Sequence, residues 1–310
     1  GDYEGAEELF QRALEGQEKA LGPEHSSTLL NVNNLGLLHK MKGDYEGAEK
    51  LYRRALEGYE KALGPDHPKT LNSVASLGTI LWSKGDLKES EKLYRRALEG
   101  YEKALGPDHR STLESVNDLG LLLKSKGDYE GAEKLFRRAL ETNEKALGSE
   151  HPSTLINVNN LGLLLEIEGD YEGAEKLYRR ALEGNEKALG PDHPSTLNSV
   201  NNLGNLLKSK GDYEGAEELF QRALEGREKV LGPDHPDTLV IVKTLGILLN
   251  KKGDLNEALE LLRSRATLSP EAEDAVGYNL ACYECLAGNL EEAKIVIAKH
   301  LKAHPEEKGN

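Results

Sequence analysis

The chain repeats itself every 42 residues, and that period restricts its fold more than its length does. "GDYEGAE" begins at Gly1, Gly43, Gly127, Gly169 and Gly211, with the variant "GDLKESE" at Gly85. A second segment recurs in the same phase. It reads "GPEHSSTLLNVNNLG" from Gly22 and "GPDHPKTLNSVASLG" from Gly64, with counterparts from Gly106, Gly148, Gly190 and Gly232. At Gly253, "GDLNEALELL" opens a shorter, divergent stretch. Six copies in phase predict an array in which each unit contacts its neighbours, rather than independent globular domains.

Each unit reads as two helices. In residues 43–64 the apolar side chains Tyr45, Ala48, Leu51, Tyr52, Ala55, Leu56, Ala62 and Leu63 fall on one helical face. Asp44 suits the N-cap, Glu46 and Glu49 suit the positive end of the helix dipole, and Gly64-Pro65 stops the helix. The other helix runs over 68–84 with Leu71, Val74, Leu77, Ile80 and Leu81 as its stripe. Pro68 takes its first position and Gly85 its left-handed end. Neither helix can bury its stripe alone, so the units must stack.

These residues resemble a known family. "VASLGTIL" at 74–81, with Ala48, Tyr52 and Ala55, is similar to the tetratricopeptide signature. The usual repeat is shorter and carries a proline where Glu60 stands here. The longer unit, with its "GPDHP" turn and "NNL" core, resembles the repeats of kinesin light chains. The resemblance implies an all-α, right-handed superhelical solenoid of helix-turn-helix repeats. Residues 1–266 are expected to hold six units, entered mid-repeat, plus a following helix. Residues 267–310, with "YNLACYECLAGNLEEAK" and Pro305, resemble a capping repeat of ordinary length. Because Gly1 opens on the second helix of a repeat, the chain reads as a piece of a longer protein.

The repeats differ from one another in a pattern. Residues 43–84 and 169–210 differ at seven of 42 places, among them Ala75/Asn201, Ser76/Asn202, Thr79/Asn205 and Trp82/Lys208. The variable columns begin at Leu30, Asn33, Asn34, Leu37, Lys40 and Met41, which is a single helical face. The opposite face, Leu29, Val32, Leu35 and Gly36, hardly changes. The family resemblance implies that the variable face lines a concave groove that holds extended peptides. The expected groove comprises Asn33, Asn34, Leu37, Lys40, Asn72, Ser76, Thr79, Trp82, Glu114, Asn117, Asp118 and Lys124. It continues through Ile156, Asn159, Asn160, Glu166, Asn198, Asn201, Asn202, Asn205, Lys208, Lys243 and Asn250.

An Asn amide both donates and accepts, so the Asn ladder can satisfy a peptide backbone, or it can bond neighbouring repeats and order the stack. Lys40, Lys124, Lys208, Lys243 and Lys251 outnumber Glu114, Asp118 and Glu166, in a chain whose net charge is −14. That segregation favours an acidic peptide, or else marks solvated lysines. Trp82 either anchors a ligand side chain or lies on its own scaffold.

The overall acidity, with a pI near 5.2, argues against nucleic acid and anionic membrane as partners. No apolar run reaches the roughly 20 residues of a membrane span. Two cysteines give no disulfide framework, which fits the cytoplasm. His25, His67, His109, His151, His193 and His235 recur beside an acid, but stacked repeats separate them too widely for one metal, so they read as turn caps. Cys282 and Cys285 read as small buried or half-buried side chains. Glu49-Arg53-Glu57 and Glu175-Arg179-Glu183 read as helical ion-pair ladders. No cofactor, metal or catalytic constellation is expected. The functional expectation is a non-enzymatic protein-interaction scaffold. The alternatives are end-to-end assembly, through Leu9, Phe10, Ala13 and Leu14 on the first helix, or the sensor arm of a larger signalling NTPase.

Overall fold

A computed structural model of the protein describes residues 3–303, and every regular element among them is an α-helix. The chain forms two compact units, Gly1–Ala146 and Leu147–Asn310. The first holds α1 (Tyr3–Leu21), α2 (Ser26–Met41), α3 (Tyr45–Leu63), α4 (Pro68–Ser83), α5 (Leu87–Leu105), α6 (Arg110–Ser125) and all but the last residue of α7 (Tyr129–Leu147). The second holds α8 (Pro152–Glu168), α9 (Tyr171–Leu189), α10 (Pro194–Lys210), α11 (Tyr213–Leu231), α12 (Pro236–Lys252), α13 (Leu255–Ala266), α14 (Pro270–Leu286) and α15 (Leu290–Ala303). Even-numbered helices are the first of each repeat and odd-numbered helices the second. Pro305, read above as the mark of a final repeat, lies outside the described residues.

The "GPDHP" turn is closed by side chains of its own repeat. Gly64 ends α3 at φ +90°, a conformation open to glycine, and its N–H donates to Glu60 O. His67 then caps α4: its Nδ1 accepts the Lys69 N–H at 3.1 Å. The fully buried Thr70 donates its hydroxyl to Gly64 O at 2.8 Å. The same pair of bonds recurs at His25/Thr28, His109/Thr112, His151/Thr154, His193/Thr196 and His235/Thr238. The six histidines are therefore N-caps, each satisfying a helix N–H that would otherwise lack an acceptor. Between the two helices of a repeat, Asp44 caps α3 through the Gly47 N–H at 2.9 Å. Asp86, Asp128, Asp170 and Asp212 repeat the bond.

Glycines let paired helices approach. A Cβ on Gly36, Gly78, Gly120, Gly162 or Gly204 would stand 2.6–3.2 Å from the ring of Tyr52, Tyr94, Phe136, Tyr178 or Phe220. On the other side of the pair, Leu29, Leu71, Leu155 and Leu197 press on Gly58, Gly100, Gly184 and Gly226. The rings and leucines fill the core of each unit. In the first, Leu29, Val32, Leu35 and Tyr59 gather with Leu14, and further along Leu71, Val74, Ala97 and Tyr101 gather together. In the second, one cluster runs from Tyr178 through Val200, Phe220, Val242 and Leu262 to Val276 and Tyr283.

Successive second helices are also tied by charge. Arg96 reaches Glu60 at 2.5 Å and Arg138 reaches Glu102 at 2.6 Å, with Arg54–Glu18, Arg222–Glu186 and Arg265–Glu228 alike. Glu60 stands where the shorter repeat has proline, so here that position serves the neighbouring repeat. Lys84–Glu49, Lys210–Glu175 and Lys252–Glu217 form a second series. Each exposed pair contributes at most about 1 kcal/mol, but the recurrence sets the register between repeats.

Three expectations need correction. Arg53 and Arg179 pair with Glu49 and Glu175, but Glu57 and Glu183 turn to Lys61 and Lys187, because a carboxylate closer to the last turn meets the lysine there. Of the side chains offered for end-to-end assembly, Leu9 is 65% exposed and Ala13 is exposed, but Phe10 is half-buried and Leu14 is buried against the α2–α3 core. Cys282 is half-buried as expected, whereas Cys285, three residues on in α14, is exposed.

The glycines predict opposite signs for one substitution. Gly120→Ala should lower stability by about 1–3 kcal/mol, since a Cβ would stand 2.6 Å from Phe136 Cε1 in a buried core. Gly16→Ala, with nothing within 4 Å, should raise it by about 0.4–1 kcal/mol. Urea denaturation of the two variants beside the parent checks both, and equal shifts would exclude the packing argument.

Candidate functional site

The columns in which the repeats differ occupy the outward face of the first helices. Leu37 and Ile156 are exposed (49% and 47%), and so are Asn34, Asn72, Glu114 and Asn198. The other seventeen expected residues are half-buried: Asn33, Lys40, Ser76, Thr79, Trp82, Asn117, Asp118, Lys124, Asn159, Asn160, Glu166, Asn201, Asn202, Asn205, Lys208, Lys243 and Asn250. The unchanging columns, such as Leu29, Val32 and Leu35, are buried. In the first unit the variable side chains sit on α2, α4 and α6, and in the second on α8, α10 and α12. Leu30, Val240 and Ile247 are exposed apolar members of the same columns that the expected set omitted. Their signal was the column itself.

The asparagines divide between the two uses open to them. Asn33 Nδ2 donates to Ser73 Oγ at 2.8 Å, and Asn159 Nδ2 to Ser199 Oγ at 2.9 Å, so these two bond adjacent first helices. Asn201 has Ile241 at the matching position of the next repeat and forms no such bond. Asn205 Nδ2 donates to Asn201 O and its Oδ1 accepts from Lys208 Nζ at 2.9 Å. Asn198 accepts from Arg227 at 2.8 Å. Asn34, Asn72 and Asn202 carry no hydrogen bond among the described residues, nor does the Trp82 indole N–H.

The floor of the face is the core itself. The buried Tyr94 shares a hydrogen bond with Thr79 at 2.9 Å, and the buried Tyr178 donates to Glu166 Oε2 at 2.9 Å. Where the ring is Phe220, no hydroxyl is offered, and Lys208 Nζ lies 5.7 Å from its centroid. Burial shifts the charged groups here. Asp118 is pushed up to about 6, chiefly by burial and then by Glu114, with Lys40 opposing. Glu166 is raised by burial against the Tyr178 hydrogen bond. Lys124 is lowered by burial, and Lys208 by burial and Lys251 together.

Among the described residues no group of three His, Cys, Asp or Glu side chains is placed to hold a metal ion, and no helix is long and apolar enough to cross a membrane.

Residues 1–271 match the tetratricopeptide repeat family in six overlapping stretches: 1–61, 27–103, 71–145, 116–187, 153–229 and 199–271. The chain is a tetratricopeptide-repeat protein. No curated protein matches it. Among solved structures it is similar to BtubC (BKLC) from P. vanneervenii, at 23% identity and a TM-score of 0.62, over 75% of this chain and 93% of that one. It is similar to the nearly identical TPR-like repeats of a Podosopora anserina kinesin light chain candidate, at 25% identity and a TM-score of 0.56, over 67% of this chain and 98% of that one. A signal transduction ATPase from Pyrococcus horikoshii with a tetratricopeptide repeat sensor gives 16% identity and a TM-score of 0.64, over 96% of this chain. This chain spans 44% of that protein. The first and last of these likenesses are of fold. Tetratricopeptide repeats generally mediate protein–protein interaction and are generally non-catalytic scaffolds.

Asp118 gives the face a measurable cost. Its folded value near 6 lies above the ordinary 3.8, so the folded protein holds the proton more tightly. Stability from this group is full below the ordinary carboxylate range and is lost as pH rises through about 6. Asp118→Asn should therefore stabilise the protein by about 1–2 kcal/mol near neutral pH, discounted for partial exposure, and by almost nothing near pH 3. Urea denaturation at the two pH values checks it, and a pH-independent difference would sink the assignment.

Proposed function

We propose that the chain is an interaction scaffold that holds an extended peptide, or an extended segment of a partner protein, against the outward face of its first helices. One observation carries this reading. Every residue of the expected set lies at least partly at the surface of that face, while the constant columns of the same helices, such as Leu29, Val32 and Leu35, are core. A surface that had no partner to fit would be free to differ on the outward side of the second helices as well. Those helices instead keep "GDYEGAE" and "RRALEG" nearly unchanged.

The chemistry of the face suits an extended ligand. Asn34, Asn72 and Asn202 offer donors and acceptors that suit a peptide backbone regardless of its side chains. Leu30, Leu37 and Ile156, with Val240 and Ile247, offer apolar contacts between them. Trp82, half-buried with its indole N–H unbonded among the described residues, suits an anchor for one ligand side chain. The preference for acidic segments rests on the second unit, where Lys208, Lys243 and Lys251 face one acid, Glu166. In the first unit Lys40 and Lys124 balance Glu114 and Asp118.

The test is selection from a random peptide library on the parent chain and on a triple variant carrying Asn160→Ala, Asn202→Ala and Lys208→Glu, with helical content checked by circular dichroism. Peptides enriched on the parent and lost on the variant are the expected result, with acidic residues over-represented among them. No enrichment on the parent, from a library that works on a control protein, would overturn the reading.

A further inference from the structure

Helix α6 carries two charged side chains that the rest of the protein leaves without a counter-ion in contact. Asp118 and Lys124 both lie half-buried on the outward face, and neither forms a hydrogen bond or ion pair among the described residues. Lys40 on α2 is likewise without a contact partner, but the two other acids in the variable columns are engaged. Glu114 accepts from Arg110 at 2.7 Å, Glu166 from Tyr178 at 2.9 Å, and Lys208 donates to Asn205 at 2.9 Å. Lys243 on α12 also lacks a partner, but the acid on that helix, Asp237, already faces Arg227 at 3.7 Å.

Asp118 and Lys124 do not serve each other. Six residues along a helix set their backbones about 9 Å apart, outside ion-pair contact. The groups that act on Asp118 are Glu114 on its own helix, Lys40 on α2, and the Tyr94 and Tyr101 hydroxyls of α5. Of these, only Lys40 favours the carboxylate, and it makes no contact with it. The acid is also particular to this helix: the equivalent positions hold Asn34, Ser76, Asn160, Asn202 and Thr244. An isolated, partly desolvated charge costs stability in the free protein, and such groups concentrate where a ligand supplies the missing charge.

We propose that α6 sets the specificity of the interaction face, by pairing Asp118 with a basic side chain and Lys124 with an acidic side chain of one extended partner segment. At about 3.3 Å per residue, with alternate side chains of an extended strand on the same side, the two partner residues stand about two or four positions apart. This rests on the interaction reading above and adds a charge order that the acidic preference of the second unit does not contain. The expected ligand over the first unit carries both signs.

The experiment selects from the same random peptide library on four versions of the 310-residue chain: the parent, Asp118→Asn, Lys124→Asn, and the exchange of Asp118→Lys with Lys124→Glu. The single variants introduce residues found at the equivalent positions Asn34 and Asn250, so their folding is expected to hold. Peptides from the parent should carry a basic and an acidic residue about two or four positions apart. Asp118→Asn should lose the basic preference alone, Lys124→Asn the acidic one alone, and the exchange should select the reverse order. A synthetic parent-selected peptide should bind each single variant about tenfold more weakly. Between about pH 7.5 and pH 5 its affinity for the parent should fall as Asp118 takes up its proton, with a smaller fall for Asp118→Asn. Parent selection followed by identical charge preferences on both single variants would overturn this inference and leave the interaction reading standing. No selection on the parent would overturn both.

Discussion

The distance between the two helices of a repeat depends on one contact, an aromatic ring laid on a glycine. Tyr52 against Gly36, Phe136 against Gly120 and Tyr178 against Gly162 bring helix backbones closer than any side chain at the glycine would allow. That approach places the far end of the ring beneath the neighbouring outward face. The aromatic therefore has two roles in different repeats. It fills the core everywhere, and where it is Tyr94 or Tyr178 its hydroxyl also fixes a side chain of the face. A change from tyrosine to phenylalanine at this column alters the surface chemistry without altering the packing.

Most of the scaffold was legible in the sequence because it was written six times. The N-caps at Asp44, the stop at Gly64, the start at Pro68 and the capping histidines all follow from local rules that need no knowledge of neighbours. What local rules could not supply was the choice among partners. Glu57 lies four residues from both Arg53 and Lys61, and it takes the lysine. Arg54 finds Glu18, and Arg96 finds Glu60, across the boundary of a repeat. A recurrence of Arg and Glu at a spacing of 36 was visible, but its meaning required the stack. Phe10 and Leu14 look unpartnered when α1 is read by itself, yet the helices that follow cover them.

The face was legible as a set of positions and not as a set of bonds. Divergence among repeats picked out the outward columns, although the buried column of Asn31, Ser73 and Ile241 differs as well. Whether an asparagine is spent on the stack depends on the residue opposite, which belongs to the next repeat. Asn33 meets Ser73 and Asn159 meets Ser199, whereas Asn201 meets Ile241. The same dependence separates Glu166, satisfied by a tyrosine from the core, from Asp118, which has no such donor. Composition counts these carboxylates alike, and their surroundings make them different reagents.

Each "GPDHP" turn is closed by its own glycine, histidine and threonine, while arginines of the second helices meet glutamates 36 or 37 residues earlier. A whole repeat removed or inserted in register leaves those turns closed and those pairs matched. The array is thus built so that recombination between its near-identical copies changes its length in steps of one repeat while the junctions stay chemically complete. Evolution can then revise reach and recognition separately, the first by copy number and the second by a few outward side chains.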